Sequence, residues 1–170
     1  WDVHMAWNTV GINYDADLIH YINSVKLFTR PDLVYLNGDK FRGFIMNGEH
    51  FYTDANGLMN FSKGGAPFPY RPSAIKGMYQ FEDSLSSIDE FGNVMVLLKK
   101  FNNVTNSIDT IGYLNNSLEL NPTTSWTHFE IPISYYSNET PDSIVVVFTS
   151  SSMGDAPTTL WIDGIYFDYV

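Results

Sequence analysis

A chain of 170 residues, 44% hydrophobic and only 16% charged, can bury a sizeable core, which excludes a disordered protein and makes one compact domain the default. Its net charge of −10 speaks against nucleic acid or an anionic membrane surface as a partner, because both attract basic patches. The absence of cysteine excludes disulfides and thiolate chemistry, and no apolar run approaches the ~20 residues of a membrane-spanning helix.

The expected domain covers 1–170. Because Trp1 rather than Met opens it, it reads as a trimmed or mature piece, with any signal peptide lying outside it. Residues 1–13 hold two tryptophans and no clean period, as an edge segment and loop would. Asp17 can cap a short helix over LIHYI, or the stretch is a loop with one turn. Residues 24–29 (SVKLFT) read as a strand ended by Arg30-Pro31-Asp32, and 33–36 as a short apolar run. Asn47-Gly48 between 41–46 and 49–53 is a strong hairpin signal, since a type I′ turn wants φ > 0 at both central positions. Residues 54–70, with GGAPFP, read as a surface loop unable to continue a ladder.

Residues 75–81 form the next strand, followed by a polar, acidic loop over 82–92 whose Glu82, Asp83, Asp89 and Glu90 read as a solvated turn. VMVLL (94–98) has the pattern of a strand covered on both faces, with Lys99 and Lys100 as gatekeepers at its end. Residues 108–120 hold one or two short strands turning at Asn115-Asn116. The organising stretch is 126–154. Phe129, Ile131, Ile133 and Tyr135 alternate with His128, Glu130, Pro132 and Ser134, the mark of a strand with one buried face. SNETPD (137–142) is a turn cluster, and 144–148 is apolar on both parities, as in a central strand; the two are expected to be adjacent in a sheet.

In the last strand, 159–170, Leu160 and Ile162 share one parity while Ile165, Phe167 and Tyr169 share the other. All five can face the core only if a β-bulge at Asp163-Gly164 inserts one residue. About eight to ten short strands with no sustained helical period predict an all-β fold, an antiparallel β-sandwich or jelly roll with long loops and little helix.

The segments RPSAIKGMYQF, VMVLLK, WTHFEIPISY, TPDSIVVVFTSSSMGD and TLWIDGIYFDYV follow in an order that resembles the putative carbohydrate metabolism domain (PCMD) family of exported and surface proteins of Bacteroidetes. The resemblance spans about 24–170. It implies a jelly roll similar to carbohydrate-binding modules, attached to other domains, and a secreted, periplasmic or outer-membrane-surface location. Asp163-Gly164 stands where the family often shows two acidic residues.

Trp126, His128 and Glu130 share a parity opposite to the core set, which would place an aromatic plate beside a carboxylate and an imidazole. Sugar recognition needs such a set, because pyranose CH groups stack on rings while hydroxyls take directional hydrogen bonds. The alternative is that Trp126, at the strand start, covers an edge of the core. Arg71 could present its fork to sugar hydroxyls or a uronate while Tyr70 stacks, or Arg71 pairs with an acid and pins the loop. Asp163 at the bulge could join a structural Ca²⁺, as many jelly-roll binding modules carry, or cap backbone amides. No other cofactor is expected: the histidines at 4, 20, 50 and 128 lack metal-ligand spacing, and no nucleophile elbow or phosphate loop occurs. The sequence therefore points to a non-catalytic glycan-binding module, with a glycoside-active domain using a carboxylate pair, or a structural, adhesin-like spacer, as alternatives.

Overall fold

The computed structural model describes residues 7–10, 24–34, 40–47, 52–53, 59–60, 65–84, 90–114 and 118–169. Among the described residues there are fifteen strands and no helix, hence none long and apolar enough to cross a membrane. The strands are β1 Trp7–Val10, β2 Val25–Phe28, β3 Arg30–Val34, β4 Lys40–Phe41, β5 Phe44–Asn47, β6 Tyr52–Thr53, β7 Met59–Asn60, β8 Ala66–Pro67, β9 Ala74–Asp83, β10 Gly92–Asn102, β11 Ser107–Leu114, β12 Leu118–Leu120, β13 Thr127–Tyr135, β14 Ser143–Thr149 and β15 Thr158–Asp168. They outnumber the expected eight to ten, and four of them are two-residue pairings, too short to leave a period in the sequence. The Asp17 helix, Trp1 and the Asn115-Asn116 turn fall outside the described residues.

The chain is an antiparallel β-sandwich of jelly-roll type. One hydrogen-bonded path runs β1-β5-β14-β10-β11-β13-β9-β15-β2. β1, β5, β14 and β10 make one layer, and β13, β9, β15 and β2 the other. β11 joins them, pairing with β10 from Ser107 to Tyr113 and with β13 from Gly112 to Leu114. Residues from both layers enclose one core, including Val94, Val96 and Phe148 from the first and Ile75, Phe81, Phe129 and Leu160 from the second. β13 follows the sequence pattern: Phe129, Ile131 and Ile133 are buried while His128, Glu130 and Pro132 are exposed. β14 is buried at every position from Ile144 to Phe148, as befits a strand flanked on both edges and covered on both faces. β13 and β14 are nonetheless not neighbours. They lie in opposite layers and meet across the core, with the Phe129 and Phe148 rings 6.2 Å apart.

β10 is covered on both faces less completely than expected: Val94, Val96 and Leu98 face the main core, while Met95 and Leu97 are partly buried against a second cluster of Phe44, Met46, Val145 and Val147. Nor does it end at its lysines. It continues to Asn102, and Lys99 is itself buried opposite Ser143, where burial pulls its ammonium pKa down against the pull of Asp142. Lys100, half-buried, pairs with Glu139 at 2.9 Å.

Among the described residues no hairpin pairs 41–46 with 49–53, and residues 48–51 lie outside them. β5 has both edges occupied, by β1 and by β14, and Tyr52–Thr53 pairs with Met59–Asn60. Asn47 is buried: its Nδ2 donates to the Ile144 carbonyl at 3.1 Å and its Oδ1 accepts from the Val146 N–H at 2.6 Å, so the side chain carries the ladder one step past the strand. The GGAPFP segment also departs from a free surface loop. Ala66 and Pro67 pair with Ile144 and Ser143, and Phe68 is buried in the core. β2 ends at Phe28, just before Arg30-Pro31-Asp32, as expected, and after Thr29 that tripeptide begins β3.

The bulge at the end of the chain is present. Asp163 faces Met78 while Tyr166 faces Lys76, so β15 gains one residue on β9, and Gly164 takes φ 57°. Ile165 enters the space opposite Gly77, where an added Cβ would stand 2.5 Å from its Cδ1. Leu160 and Ile162 are buried and Ile165 and Phe167 pack against the core, but Tyr169, past the strand end, is half-exposed.

Candidate functional site

Alternation along the second layer decides which side chains face outward. With Ile75, Gly77, Tyr79 and Phe81 turned in, β9 presents Lys76, Met78 and Gln80 outward. β13 presents His128 and Glu130. β15, through its bulge, presents Trp161, Asp163, Tyr166 and Asp168, and β2 presents Lys26.

The strand pairing orders these groups in rows. Trp161 lies opposite Gln80 on one side and Lys26 on the other, and the Lys26 ammonium sits 5.4 Å from the indole centroid. His128, Met78 and Asp163 form the next row. Glu130, Lys76 and Tyr166 form the third, where the Tyr166 ring is 52% exposed. Lys76 Nζ binds two carboxylates, Asp168 at 2.8 Å and Glu130 at 3.2 Å. The Asp168 and Glu130 hydrogen bonds raise the Lys76 pKa, and the Lys76 bond in turn lowers that of Asp168. The result is a face of aromatic plates separated by hydrogen-bonding groups on four paired strands.

The residues singled out in the sequence distribute unevenly over it. His128 and Glu130 stand exposed on this face, and Trp126, partly buried, precedes β13 by one residue with their parity. Tyr70 is 46% exposed and meets Tyr169, beside Asp168, edge-on at 6.2 Å. It thus sits at the rim. Arg71 is engaged elsewhere. Its guanidinium lies 4.0 Å from the Tyr135 ring centroid and donates to the Glu139 carbonyl, so it pins the loop by a ring and a backbone oxygen, not by an acid. Tyr135 donates to the Pro72 carbonyl at 2.6 Å, and burial pushes its phenol up to about 12. Tyr135 is seven residues along β13 from His128, about 23 Å of extended strand. Asp163 accepts the Gly164 N–H at 2.6 Å, capping its own bulge. Among the described residues no three His, Cys, Asp or Glu side chains gather as metal ligands would.

Trp161, Tyr166, Lys76, Met78 and Gln80 escaped the sequence reading as site residues. Their signal was there: once a bulge is inferred from the inward set of β15, the remaining residues of that strand must face out.

Glu90, expected in a solvated turn, is buried. Its Oε2 accepts from the Ser151 and Ser152 hydroxyls and the Ser152 and Met153 N–H groups, and its Oε1 from the Asp155 N–H at 2.7 Å. Burial pushes this carboxyl up, but the hydrogen bonds, led by Ser151, outweigh it and hold the pKa at about 2. Arg42 adds a bond to the Ser152 carbonyl at 2.8 Å. This carboxylate shapes the loop between β14 and β15.

No family model matches the chain, and no curated protein matches it. Among solved structures, it is similar to a "putative glycoside hydrolase" of Bacteroides thetaiotaomicron, at 20% identity and TM-score 0.53, over 76% of this chain and 48% of that one. The chain thus spans about half the length of that protein, and the likeness is one of fold. A carbohydrate-binding module specific for non-crystalline cellulose is also similar, at 9% identity and TM-score 0.46, over 86% of this chain and 75% of that one.

Proposed function

We propose that this domain is a non-catalytic carbohydrate-binding module of an exported or cell-surface bacterial protein, and that it binds glycan on the outer face of β13, β9, β15 and β2. The observation that carries the reading is Tyr166, a half-exposed ring on β15 opposite Lys76 of β9, in the row that holds Glu130 and beside Asp168. Exposed rings with convergent donors and acceptors are what sugar faces and hydroxyls require. His128, Glu130 and Trp126 belong to the same surface, and Tyr70 lies at its rim. A fold shared with a protein described as a glycoside hydrolase supports a carbohydrate context.

A glycoside-active reading has one specific foothold, the two carboxylates drawn to Lys76. A general acid must hold its proton near neutral pH. Asp168 is shifted the other way, which leaves it only the ionised role in such a pair. A glycan array followed by calorimetry tests the proposal, with chromogenic and polymeric glycans assayed in parallel. Binding without turnover is the expected result. Turnover abolished by Glu130→Gln or Asp168→Asn in a folded protein would establish the enzyme instead. Calcium enters this reading only through Asp163, which supplies few of the six to eight oxygens the ion takes. A melt with and without chelator decides it: a midpoint lowered by chelator supports the ion, and an unchanged one removes it.

A further inference from the structure

The bulge at Asp163-Gly164 gives the outer face a polarity of length. If all these residues were paired as a regular strand without the bulge, Tyr166 would turn toward the core and Ile165 and Phe167 toward solvent. With it, Trp161 and Tyr166 stand on the same face of β15, opposite Gln80 and Lys76 of β9. Four residues of β9 separate those partners, so the two platforms are about 13 Å apart. Between them lies Met78, flanked by His128 and Asp163. The strip is therefore ring, thioether, ring along the strand, with donors and acceptors on both sides.

We infer, on the carbohydrate reading above, that the ligand is a neutral, extended, linear glycan lying along β15 and β9 and spanning at least three sugar units. A pyranose unit lengthens an extended chain by about 5 Å at ordinary covalent bond lengths. Three units then reach from Trp161 to Tyr166, and one unit reaches only one platform. Neutrality follows from the charges on the face. Glu130, Asp163 and Asp168 outnumber Lys26 and Lys76, and the Lys76 charge is shared between two of those carboxylates. An anionic glycan would meet net repulsion and find Arg71 already engaged. A chain that coils tightly would leave the face after one platform, whereas an extended β-1,4-linked chain keeps contact with both.

The test is calorimetry with cello-, xylo- and manno-oligosaccharides of one to six units. Malto-oligosaccharides serve as the curved control and oligogalacturonates as the charged one. Affinity for an extended neutral series should rise at least tenfold up to three units and then level off. Trp161→Ala and Tyr166→Ala should each lose about tenfold for three units or more, with an unchanged melting midpoint for the exposed Tyr166. If Trp161→Ala does not fold, Trp161→Leu removes the ring while keeping apolar cover and should show the same loss. Tyr166→Phe should retain most of the affinity. Affinity saturating at a single unit, tighter binding of oligogalacturonate, or full affinity in both platform variants overturns the strip, while glycan binding as such would stand. No binding by any neutral series or on the glycan array overturns both readings.

Discussion

Single residues in this protein divide between those that hold loops and those that face solvent. Glu90 is of the first kind. Its carboxyl moves from an ordinary 4.5 to about 2 on folding, a difference equivalent to about 3 kcal/mol of native-state stabilisation. Since the folded value is the lower, that stability is present above pH 4.5 and is lost as the pH falls toward 2. Glu90→Gln should therefore lower the unfolding free energy by roughly 2–3 kcal/mol at pH 7, and the gap to wild type should narrow markedly by pH 3. Urea denaturation at the two pH values measures it; a gap independent of pH would mean that the carboxylate charge is not what holds the Ser151–Asp155 segment. Arg71 is also a holding residue. Arg71→Ala should destabilise by about 1 kcal/mol through the lost stacking on Tyr135 and the lost bond to Glu139, with glycan affinity unchanged. A tenfold affinity loss at full stability would return Arg71 to the binding surface.

At the scale of elements, the β15 bulge is the decisive device, because it keeps one face of the strand on the core and the other toward solvent along its whole length. Gly164 has φ 57° and no heavy atom within 4 Å of an added Cβ, so any penalty for a side chain there is purely conformational. Gly164→Ala should cost about 1–2 kcal/mol, and Gly164→Asn less, because asparagine tolerates the left-handed region. Equal losses for the two would point to a packing role. Gly77 differs in kind. Its Cβ would press on Ile165 and Phe129, so Gly77→Ala should cost about 1–3 kcal/mol by crowding, measured as a shift in denaturation midpoint. Asn47 is the comparable device in the first layer, where a side chain takes the place of a backbone pair beside β14.

For the molecule as a whole, the net charge of −10 sets a further test. A neutral glycan held by stacking and hydrogen bonds should bind with nearly the same affinity from 50 to 500 mM salt, since screening acts on charge pairs and not on ring faces. A drop of more than about tenfold across that range, followed by calorimetry, would indicate a charged ligand.

Much of the architecture was legible in the residues alone. The period-2 pattern of 129–135, the doubly apolar 144–148 and the bulge at Asp163-Gly164 are local consequences of which side chains must leave water, and they determine strand type and facing without reference to partners. His128 and Glu130 were legible as outward residues for the same reason. Pairing was not. That β13 and β14 lie in opposite layers, that Asn47 extends a ladder instead of turning a hairpin, and that Glu90 is wrapped by a loop sixty residues later depend on long-range contacts, which carry no local period. So it is with the face built from Trp161, Tyr166, Lys76 and His128: each strand dictates its own outward residues, but only sheet order sets them side by side.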